Sequence, residues 1–202
     1  MSLWLADHPL VLASQSAVRR DVLAAAGIPL DVSPADIDER GLTAAAGLDD
    51  PSDIAALLAR EKARAVAQNR PGRLVLGADQ TLALGQRAFH KPSDTAAARE
   101  QLKLLRGQTH MLCAAIALAL GPRIVFEHRG IARLTMRNFS DDFLESYIAA
   151  AGRALTASVG AYQLESIGIH LFEHIDGDHF TILGLPLLRL LDFLRQDGHL
   201  AD

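Results

Sequence analysis

The sequence predicts an α/β protein in which helices flank a mixed β-sheet. Strand and helix patterns alternate in the first half of the chain, and strand patterns cluster in the second half, which is typical of mixed sheets. Half of the 202 residues are hydrophobic and 22% are charged, a composition that excludes disordered and fibrous chains. This length suits one domain or two closely joined lobes, and we expect a single domain over residues 1–202.

In the first half of the chain, short apolar runs alternate with helical patterns. The predicted elements are, in order, strand 9–14, helix 17–26, strand 28–33, helix 51–68 and strand 73–78. Ser16 can cap the first helix, and Gly27 ends it. The segment 34–48 is acidic and is predicted to be irregular. Residues 81–84 either continue the last strand or pair with it through a turn near Asp79.

The second half is richer in strand patterns. The predicted elements are helix 93–105, strands 110–120 and 124–136, a helix from Ser140 or Asp141 to Ala150, strands 160–166 and 168–175, and helix 181–196. Gly121 and Pro122 supply the turn between the two long strands. Pro186 interrupts the helical pattern near the start of the last helix, because proline lacks the backbone donor that a helix interior needs.

Charge and composition exclude several classes of protein. The net charge of −4 argues against a non-specific nucleic-acid binder and against a polybasic membrane binder. The longest apolar run, residues 111–120, is too short for a bilayer, which takes about 20 residues. The first residues lack a basic segment followed by a long apolar stretch, so no signal peptide is predicted. We therefore expect a cytoplasmic protein without a stable nucleic-acid or membrane partner.

The first turn of the first predicted helix carries a cation in an unusual place. Helical spacing puts Arg19 on the apolar side, between Val22 and Leu23, where its charge also opposes the helix dipole. A bound anion would reverse that cost, and Ser14, Ser16 and the free backbone N–H groups of this helix end suit a phosphate. The alternative is an ion pair between Arg19 and an acidic neighbour.

Three further charged residues suit phosphate chemistry. Lys62 lies at the edge of the apolar face of a predicted helix, Asp79 follows a buried strand, and Lys91 precedes a helix. Ligands of α/β proteins bind beyond the carboxyl ends of the strands, which is where Asp79 is placed. The alternatives are a lysine that extends to water at position 62, a turn aspartate at position 79 and a surface lysine at position 91.

A run of carboxylates provides the candidate metal site. Asp36, Asp38 and Glu39 lie in the acidic segment, and carboxylates suit Mg²⁺, which keeps much of its water and bridges to substrate phosphates. A solvated acidic loop is the alternative. The histidines lack metal-site spacing, and the single cysteine, Cys113, lies in an apolar run and is expected in the core. Cations, carboxylates and a strand-end aspartate together suit metal-assisted hydrolysis of a phosphoanhydride.

The order of the motifs resembles one known family over nearly the whole chain. The matching pieces are Leu12-Ala13-Ser14-Gln15-Ser16 with Arg19, Asp38-Glu39, Glu61-Lys62-Ala63, Gly77-Ala78-Asp79-Gln80-Thr81, Lys91-Pro92, Gly107, His110, Gly160-Ala161-Tyr162, Gly177-Asp178 and Gly184-Leu185-Pro186-Leu187. No single piece is decisive, but their order and spacing are specific. In these features the chain resembles the Maf family of nucleotide pyrophosphatases, which is related in fold to the inosine-triphosphate pyrophosphatases.

The resemblance implies a mixed sheet with helices in two lobes around a cleft, within one Maf-like domain. It implies an enzyme that cuts a nucleoside triphosphate into a monophosphate and pyrophosphate with the help of a divalent cation, Mg²⁺ or Mn²⁺. The residues that it implies are Asp79 for catalysis, Arg19, Lys62 and Lys91 for phosphate binding, and Asp38 or Glu39 for the metal. To these the residues themselves add Ser14 and Ser16 for substrate binding, and Asp79 is expected to act as a general base or as a metal ligand.

Three positions bear on the choice of nucleotide. Family members that hydrolyse dTTP and UTP usually have arginine where Val18 stands, threonine at Gln80 and glutamine at Glu165. Gln80 and Glu165 resemble the subgroup that acts on 7-methyl-GTP, and there they would read the base edge, although that subgroup tends to carry tryptophan at position 18. The alternatives are a pyrophosphatase of the dTTP/UTP or inosine-triphosphate type and a nucleotide-binding regulator of division without catalysis. A homodimer is left open.

Overall fold

Seven strands form one mixed sheet in the computed structural model, which describes residues 3–202. The strands are β1 Leu10–Leu12, β2 Leu30–Val32, β3 Leu74–Leu84, β4 Arg87–Phe89, β5 Thr109–Leu120, β6 Arg123–Met136 and β7 Phe172–Asp176. The helices are α1 Ala17–Ala25, α2 Glu39–Ala46, α3 Pro51–Ala67, α4 Thr95–Leu105, α5 Asp141–Ala151, α6 Ala154–Ala157, α7 His179–Ile182 and α8 Leu187–Gln196. Two short 3-10 helices, Val159–Ala161 and Ile167–Leu171, precede β7. The predicted fold class, a mixed sheet with flanking helices, is confirmed.

The strand order places the end of β1 beside the first half of β3. The sheet runs β2-β1-β3-β5-β6-β7, and β4 pairs with β3 outside that path. Strand β1 is parallel to both β2 and β3, whereas β4 and β7 are antiparallel to their partners β3 and β6. The register pairs Leu12 with Leu76, so the residues that follow β1 lie beside the central part of β3.

The chain divides into two compact units, and each is built from separate segments. The first unit contains the chain up to Gln80 together with Cys113–Gly130 and Asp178–Asp202, and the second contains Thr81–Leu112 and Ile131–Gly177. Strands β3, β5 and β6 contribute residues to both units. The single domain expected from the sequence stays a prediction. Within residues 3–202, no helix is long and apolar enough to cross a membrane.

In the first unit, the two faces of the sheet pack against different helices. One face forms a cluster of small side chains that includes Val11, Val75, Ala59 and Ala63, the last two from α3. A Cβ atom at Gly77 would overlap the carbonyl oxygen of Ala59 and the backbone of Ala63. The glycine and the alanines therefore let α3 lie directly on β3, which is the contact that positions the side chains of the candidate site.

The other face of the first unit carries the larger apolar side chains. Leu12 and Leu76 of the strands pack with Leu23 of α1 and with Leu190 and Leu194 of α8, and all five are fully buried. Burial of a leucine side chain stabilises a fold by roughly 1.5–3 kcal/mol. Helices α1 and α8 are therefore held by ordinary hydrophobic packing, which the helical spacing of the sequence already indicated.

The first correction to the predicted elements concerns the segment 34–48, which is not irregular throughout. It contains α2, which Asp38 caps by accepting a hydrogen bond from the Gly41 N–H at 3.0 Å. Gly47 ends the helix in the left-handed conformation, with φ of 60°. Helix α2 has no fully buried residue, so the sequence lacked the apolar stripe by which helices are recognised.

The second correction concerns β3, which is continuous through Asp79. The predicted turn at this residue is wrong, and the alternative, that 81–84 continue the strand, is confirmed. Asp79 therefore lies inside a strand with its side chain on one face of the sheet. The predicted cap of α1 by Ser16 is also confirmed, since the Ser16 hydroxyl accepts from the backbone N–H of Arg19.

Further corrections fall late in the chain. The strand predicted at 160–166 is wrong, because Gly160 and Ala161 have φ values of 82° and 61°, which extended strands do not allow. Of the strand predicted at 168–175, only the part from Phe172 onward is extended. The last predicted helix is two helices, α7 and α8, separated at Gly184 (φ 80°) and Pro186. Strand β4 and helix α6 were not predicted, and α4 begins two residues later than expected, after Asp94.

A buried histidine in the second unit makes acid stability a testable property. His110 is 1% exposed, and burial lowers its pKa from 6.5 to about 4. Between pH 6.5 and about 4, the histidine is protonated in the unfolded chain but neutral in the folded one. The free energy of unfolding should therefore fall as the pH drops toward 4, by up to about 3 kcal/mol. The Nε2 atom lies 2.8 Å from the Tyr162 hydroxyl, and glutamine could keep that bond without titrating.

Urea unfolding of the wild type and of His110→Gln between pH 7 and pH 4 checks this prediction. The variant should lose less stability over this range, even if its stability at pH 7 is lower. Parallel losses in the two proteins would mean that other groups cause the acid sensitivity.

Candidate active site

Two carboxylates share one lysine in the first unit. The Lys62 Nζ atom lies 2.5 Å from Asp79 Oδ1 and 2.8 Å from Glu39 Oε1. The side chains of Lys62 and Asp79 are each 12% exposed, whereas Glu39 is 50% exposed. The cluster is therefore buried on the side of Asp79 and reaches solvent through Glu39.

The environment of Asp79 favours its protonated form. Burial raises the pKa of Asp79 above its ordinary value, and the nearby charges of Lys62 and Arg19 oppose that rise. Lys62 engages Oδ1, and Oδ2 lies outside that ion pair. A carboxylate whose pKa is raised binds a proton more strongly than an exposed aspartate, which suits a general base.

Local sequence explains how the three side chains meet. Because side chains alternate between the two faces along a strand, the Asp79 side chain lies on the same face as Val75 and Gly77, which is the face that α3 covers. Lys62 belongs to α3 itself. Glu39 occupies the first turn of α2, where a negative charge is favoured by the helix dipole. The site is thus assembled from one strand and two helix positions that are far apart in sequence.

A second group of residues lies where β1 ends and α1 begins. The Ser14 hydroxyl accepts hydrogen bonds from the Ser16 backbone N–H at 3.2 Å and from Arg19 Nη1 at 3.1 Å. Arg19 also donates to the Ala78 carbonyl at 2.9 Å and to the Gly184 carbonyl at 2.8 Å. Arg19 therefore joins the loop, the strand and a distant turn, and its direct hydrogen-bond partners are carbonyl and hydroxyl oxygens.

The charge of Arg19 still reaches the acidic residues. Burial lowers the pKa of Arg19, and the charges of Asp79 and Glu39 raise it, but a guanidinium stays protonated in proteins. The guanidinium stays beside the N-terminus of α1, where the oxygens of Ser14, Ala78 and Gly184 accept its hydrogen bonds. The sequence left open an ion pair between Arg19 and an acidic neighbour. Asp79 and Glu39 are close enough to affect the Arg19 pKa, but the hydrogen bonds of the guanidinium go to other oxygens.

Gln80 lies on the opposite face of the strand from Asp79. Its Nε2 atom donates to the carbonyls of Thr181 at 3.1 Å and Ile182 at 2.9 Å. These backbone partners were not predicted, since the sequence analysis placed Gln80 against the base of a nucleotide. The Gly177-Asp178 and Gly184-Leu185-Pro186-Leu187 motifs were the sequence signals that this segment approaches the site.

The remaining predicted site residues are more exposed. Asp38 is exposed and caps α2, while Val18 is half-buried in α1. Lys91 and Glu165 are both exposed and belong to the second unit. Of the two candidate metal ligands next to each other in sequence, Glu39 is the one that meets Lys62 and Asp79.

The metal-binding capacity of the site rests on two carboxylates. Among residues 3–202, no group of three or more His, Cys, Asp or Glu side chains is arranged to hold a metal ion. Asp79 and Glu39 nevertheless place two carboxylate oxygens around one cation, the Lys62 ammonium. That donor set fits Mg²⁺, which is commonly held by one or two carboxylates, water and substrate phosphates.

Comparison with known proteins relates the chain to one family. Residues 9–197 match the sequence profile of the family described as Maf-like protein. A Rhodopseudomonas palustris relative named nucleoside triphosphate pyrophosphatase is 58% identical over 201 residues and covers 100% of both chains. A Mesorhizobium japonicum relative named 7-methyl-GTP pyrophosphatase is 48% identical over 192 residues, which are 94% of this chain and 96% of that one. Among solved structures, a HAM1 protein from Coxiella burnetii is 14% identical, covers 65% of this chain and 74% of its own, and has a TM-score of 0.41.

Proposed function

Because the chain belongs to the Maf family, we propose that it hydrolyses nucleoside triphosphates to monophosphates and pyrophosphate at the Asp79 site. Relatives that align over the whole chain are named for this activity, and the chain is accordingly an enzyme of the hydrolase class. The observation that carries the proposal is the lysine shared by Asp79 and Glu39, with Arg19 close enough to affect the Asp79 pKa. Positive and negative groups are thus gathered where a triphosphate and a cation would both bind.

We propose that the loop before α1 and the two buried cations bind the triphosphate. Ser14 and Ser16 lie at the N-terminus of α1, where backbone N–H groups favour anions. Arg19 and Lys62 supply positive charge close to Asp79, and Lys91 stays a phosphate ligand predicted from the sequence. Charge held in place before the reaction stabilises the charge that develops during phosphoryl transfer.

Asp79 is proposed as the general base. It accepts a proton from a water molecule through the oxygen that Lys62 does not engage, and that water attacks the α-phosphorus. The bond between the α-phosphorus and the bridging oxygen breaks, so that the nucleoside monophosphate and pyrophosphate are released. The raised pKa of Asp79 suits this role, because such a carboxylate accepts a proton more readily than an exposed aspartate does.

A divalent cation is part of the proposal, and Asp79 and Glu39 are the residues that would hold it. When bound, the cation neutralises phosphate charge and stabilises the leaving pyrophosphate. With a cation held there, Lys62 would lose part of its contact with the two carboxylates and would be free to pair with a phosphate oxygen. Asp38 is not included, since its carboxylate caps α2.

The finer substrate proposal is 7-methyl-GTP. It is supported by the name of the Mesorhizobium japonicum relative. Glu165 suits a guanine base in general, because a carboxylate can accept hydrogen bonds from its N1–H and exocyclic amine. Val18 stays a specificity position predicted from the sequence. A cytoplasmic location and a homodimer stay predictions from the sequence.

The proposal is tested by pyrophosphate release from a panel of nucleotides with Mg²⁺ or Mn²⁺. The panel contains 7-methyl-GTP, GTP, UTP, dTTP, CTP and inosine triphosphate. We expect pyrophosphate and the matching monophosphate, with 7-methyl-GTP preferred over GTP by about tenfold or more, since base contacts commonly discriminate by this amount. Release that is fastest with UTP or dTTP would contradict the substrate proposal, and no release from folded protein would contradict the activity.

A further inference from the structure

We propose that Gln80 is a positioning residue that holds the turn at Thr181–Gly184 and, through this turn, the guanidinium of Arg19. The inference deepens the proposed function and rests on it for the role of Arg19 in binding phosphate. It replaces the expectation that Gln80 reads the nucleotide base.

Gln80 and Asp79 lie on opposite faces of the sheet. Val75 and Gly77 face α3, and Asp79 meets Lys62 on that same face. Leu76 and Ala78 alternate with them and pack in the cluster formed with α1 and α8. Gln80 follows this second set because strand side chains alternate, so its amide points away from the carboxylate cluster.

The side-chain amide of Gln80 donates hydrogen bonds to the backbone. A glutamine amide has two N–H donors, and here they point to the carbonyls of Thr181 and Ile182. Because both partners are carbonyl oxygens, only the nitrogen of the amide can face them. The donors that would recognise a base are therefore already engaged with the backbone at the end of α7.

The turn that Gln80 holds also accepts a hydrogen bond from Arg19. The Gly184 carbonyl accepts from Arg19 Nε at 2.8 Å, and the Gly184 N–H donates to the Thr181 carbonyl at 3.0 Å. A Cβ atom at Gly184 would lie 3.1 Å from Arg19 Nη2 and 3.5 Å from Gln80 Cδ. Gly184 thus lies between the two side chains, and displacement of the turn would move the guanidinium with it.

The positioning role and the base-reading role predict different kinetics. If Gln80 positions Arg19, its loss should raise KM for every nucleotide by a similar factor, because all of them carry the same triphosphate. If Gln80 reads the base, its loss should change the order of preference among nucleotides. A local loosening of the turn is expected only in the first case.

Gln80→Glu is the variant that separates these roles. It keeps the size of the side chain but presents an ionised carboxylate, which has no donors, to two carbonyls. Asn69→Asp is the matched control, because Asn69 also donates from its side-chain amide to a backbone carbonyl, that of Ala65 at 3.4 Å, but is exposed beyond the end of α3. The two variants are compared with the wild type by steady-state kinetics on the nucleotide panel and by amide hydrogen exchange.

We expect Gln80→Glu to raise KM about tenfold for all nucleotides with their order unchanged, which corresponds to about 1.4 kcal/mol. The amide hydrogens of Ile182, Leu183, Gly184 and Leu185, which are all hydrogen-bonded within the turn, should exchange at least tenfold faster. The control should leave both quantities unchanged. Normal exchange, or an altered order of nucleotide preference, would overturn the inference. If the wild type hydrolyses no nucleotide, the proposed function fails, and the exchange result still decides whether Gln80 holds the turn.

Discussion

Asp79→Asn should lower turnover by about 10²–10⁴-fold, the range associated with loss of a general base. Asparagine has nearly the same shape and can still accept a hydrogen bond from Lys62, but its amide cannot take a proton from water. KM should change less than turnover, because the phosphate-binding cations Arg19 and Lys62 remain. The measurement is steady-state pyrophosphate release with the nucleotide that the wild type prefers.

The control for this prediction is an aspartate outside the site. Asp192 lies in α8, is 51% exposed and pairs only loosely with Arg189 at 3.7 Å and Arg195 at 3.6 Å. Asp192→Asn should keep wild-type turnover. For Asp79→Asn, a free energy of unfolding within about 2 kcal/mol of the wild type would show that lost activity does not reflect unfolding. Wild-type turnover in a folded Asp79→Asn protein would remove Asp79 from the mechanism.

The pH dependence of turnover follows from the same carboxylate. The pKa of Asp79 lies above its ordinary value of 3.8, mainly because of burial. The base must be ionised to act, so kcat/KM should fall as the pH drops through this raised pKa and not at the pKa of an exposed aspartate. In Asp79→Asn the residual rate should lack this acidic limb.

Most of the fold could be predicted because its elements bury apolar stripes. The strands β1, β5 and β6 and the helices α1 and α3 are apolar at regular spacing, and the sequence indicates all of them. Helix α2 lacked that pattern, since it has no fully buried residue. The segment around Gly160 and Ala161 read as a strand because it is apolar, yet its backbone is left-handed at both residues, a property that alanine does not signal.

The candidate site was predictable as a set of residue types but not as a geometry. Charges at apolar positions, such as Arg19 and Lys62, indicated a site because burial of a charge is costly without partners. The choice between Asp38 and Glu39 depended on which carboxylate caps α2 and which faces Lys62, and spacing alone could not decide this. The partners of Gln80 are backbone carbonyls about a hundred residues later in the chain, and no local pattern encodes such a contact.

Lys62→Gln should destabilise the protein most strongly at neutral and alkaline pH. The variant leaves Asp79 largely buried without its main counter-ion, and loss of one partner from a buried ion pair costs about 3–5 kcal/mol. Lys62 lowers the pKa of Asp79 in the wild type, so without it burial raises that pKa further. A carboxylate with a raised pKa binds a proton more tightly when folded, so stability increases as the pH falls through that range.

Urea unfolding of the wild type and Lys62→Gln at pH 5 and pH 8 measures this effect. The deficit of the variant should be about 3 kcal/mol at pH 8 and clearly smaller at pH 5. Lys103→Gln is the control, because Lys103 is 41% exposed and pairs with the exposed Glu100 at 3.2 Å; its stability should change by less than about 1 kcal/mol at either pH. An equal deficit at both pH values would mean that the aliphatic part of Lys62 stabilises the fold and that its charge does not.

Lys62 also competes with divalent cations for the two carboxylates of the proposed metal site. In the wild type, Lys62 already pairs with both Asp79 and Glu39, so an added cation must displace an ammonium held at 2.5 Å and 2.8 Å. In Lys62→Gln the two carboxylates have no such competitor, so Mn²⁺ without nucleotide should raise the unfolding midpoint of the variant more than that of the wild type. Equal shifts in the two proteins would show that the cation binds away from these carboxylates. A larger shift in the variant would identify Lys62 as the group that keeps metal affinity low when no nucleotide is bound.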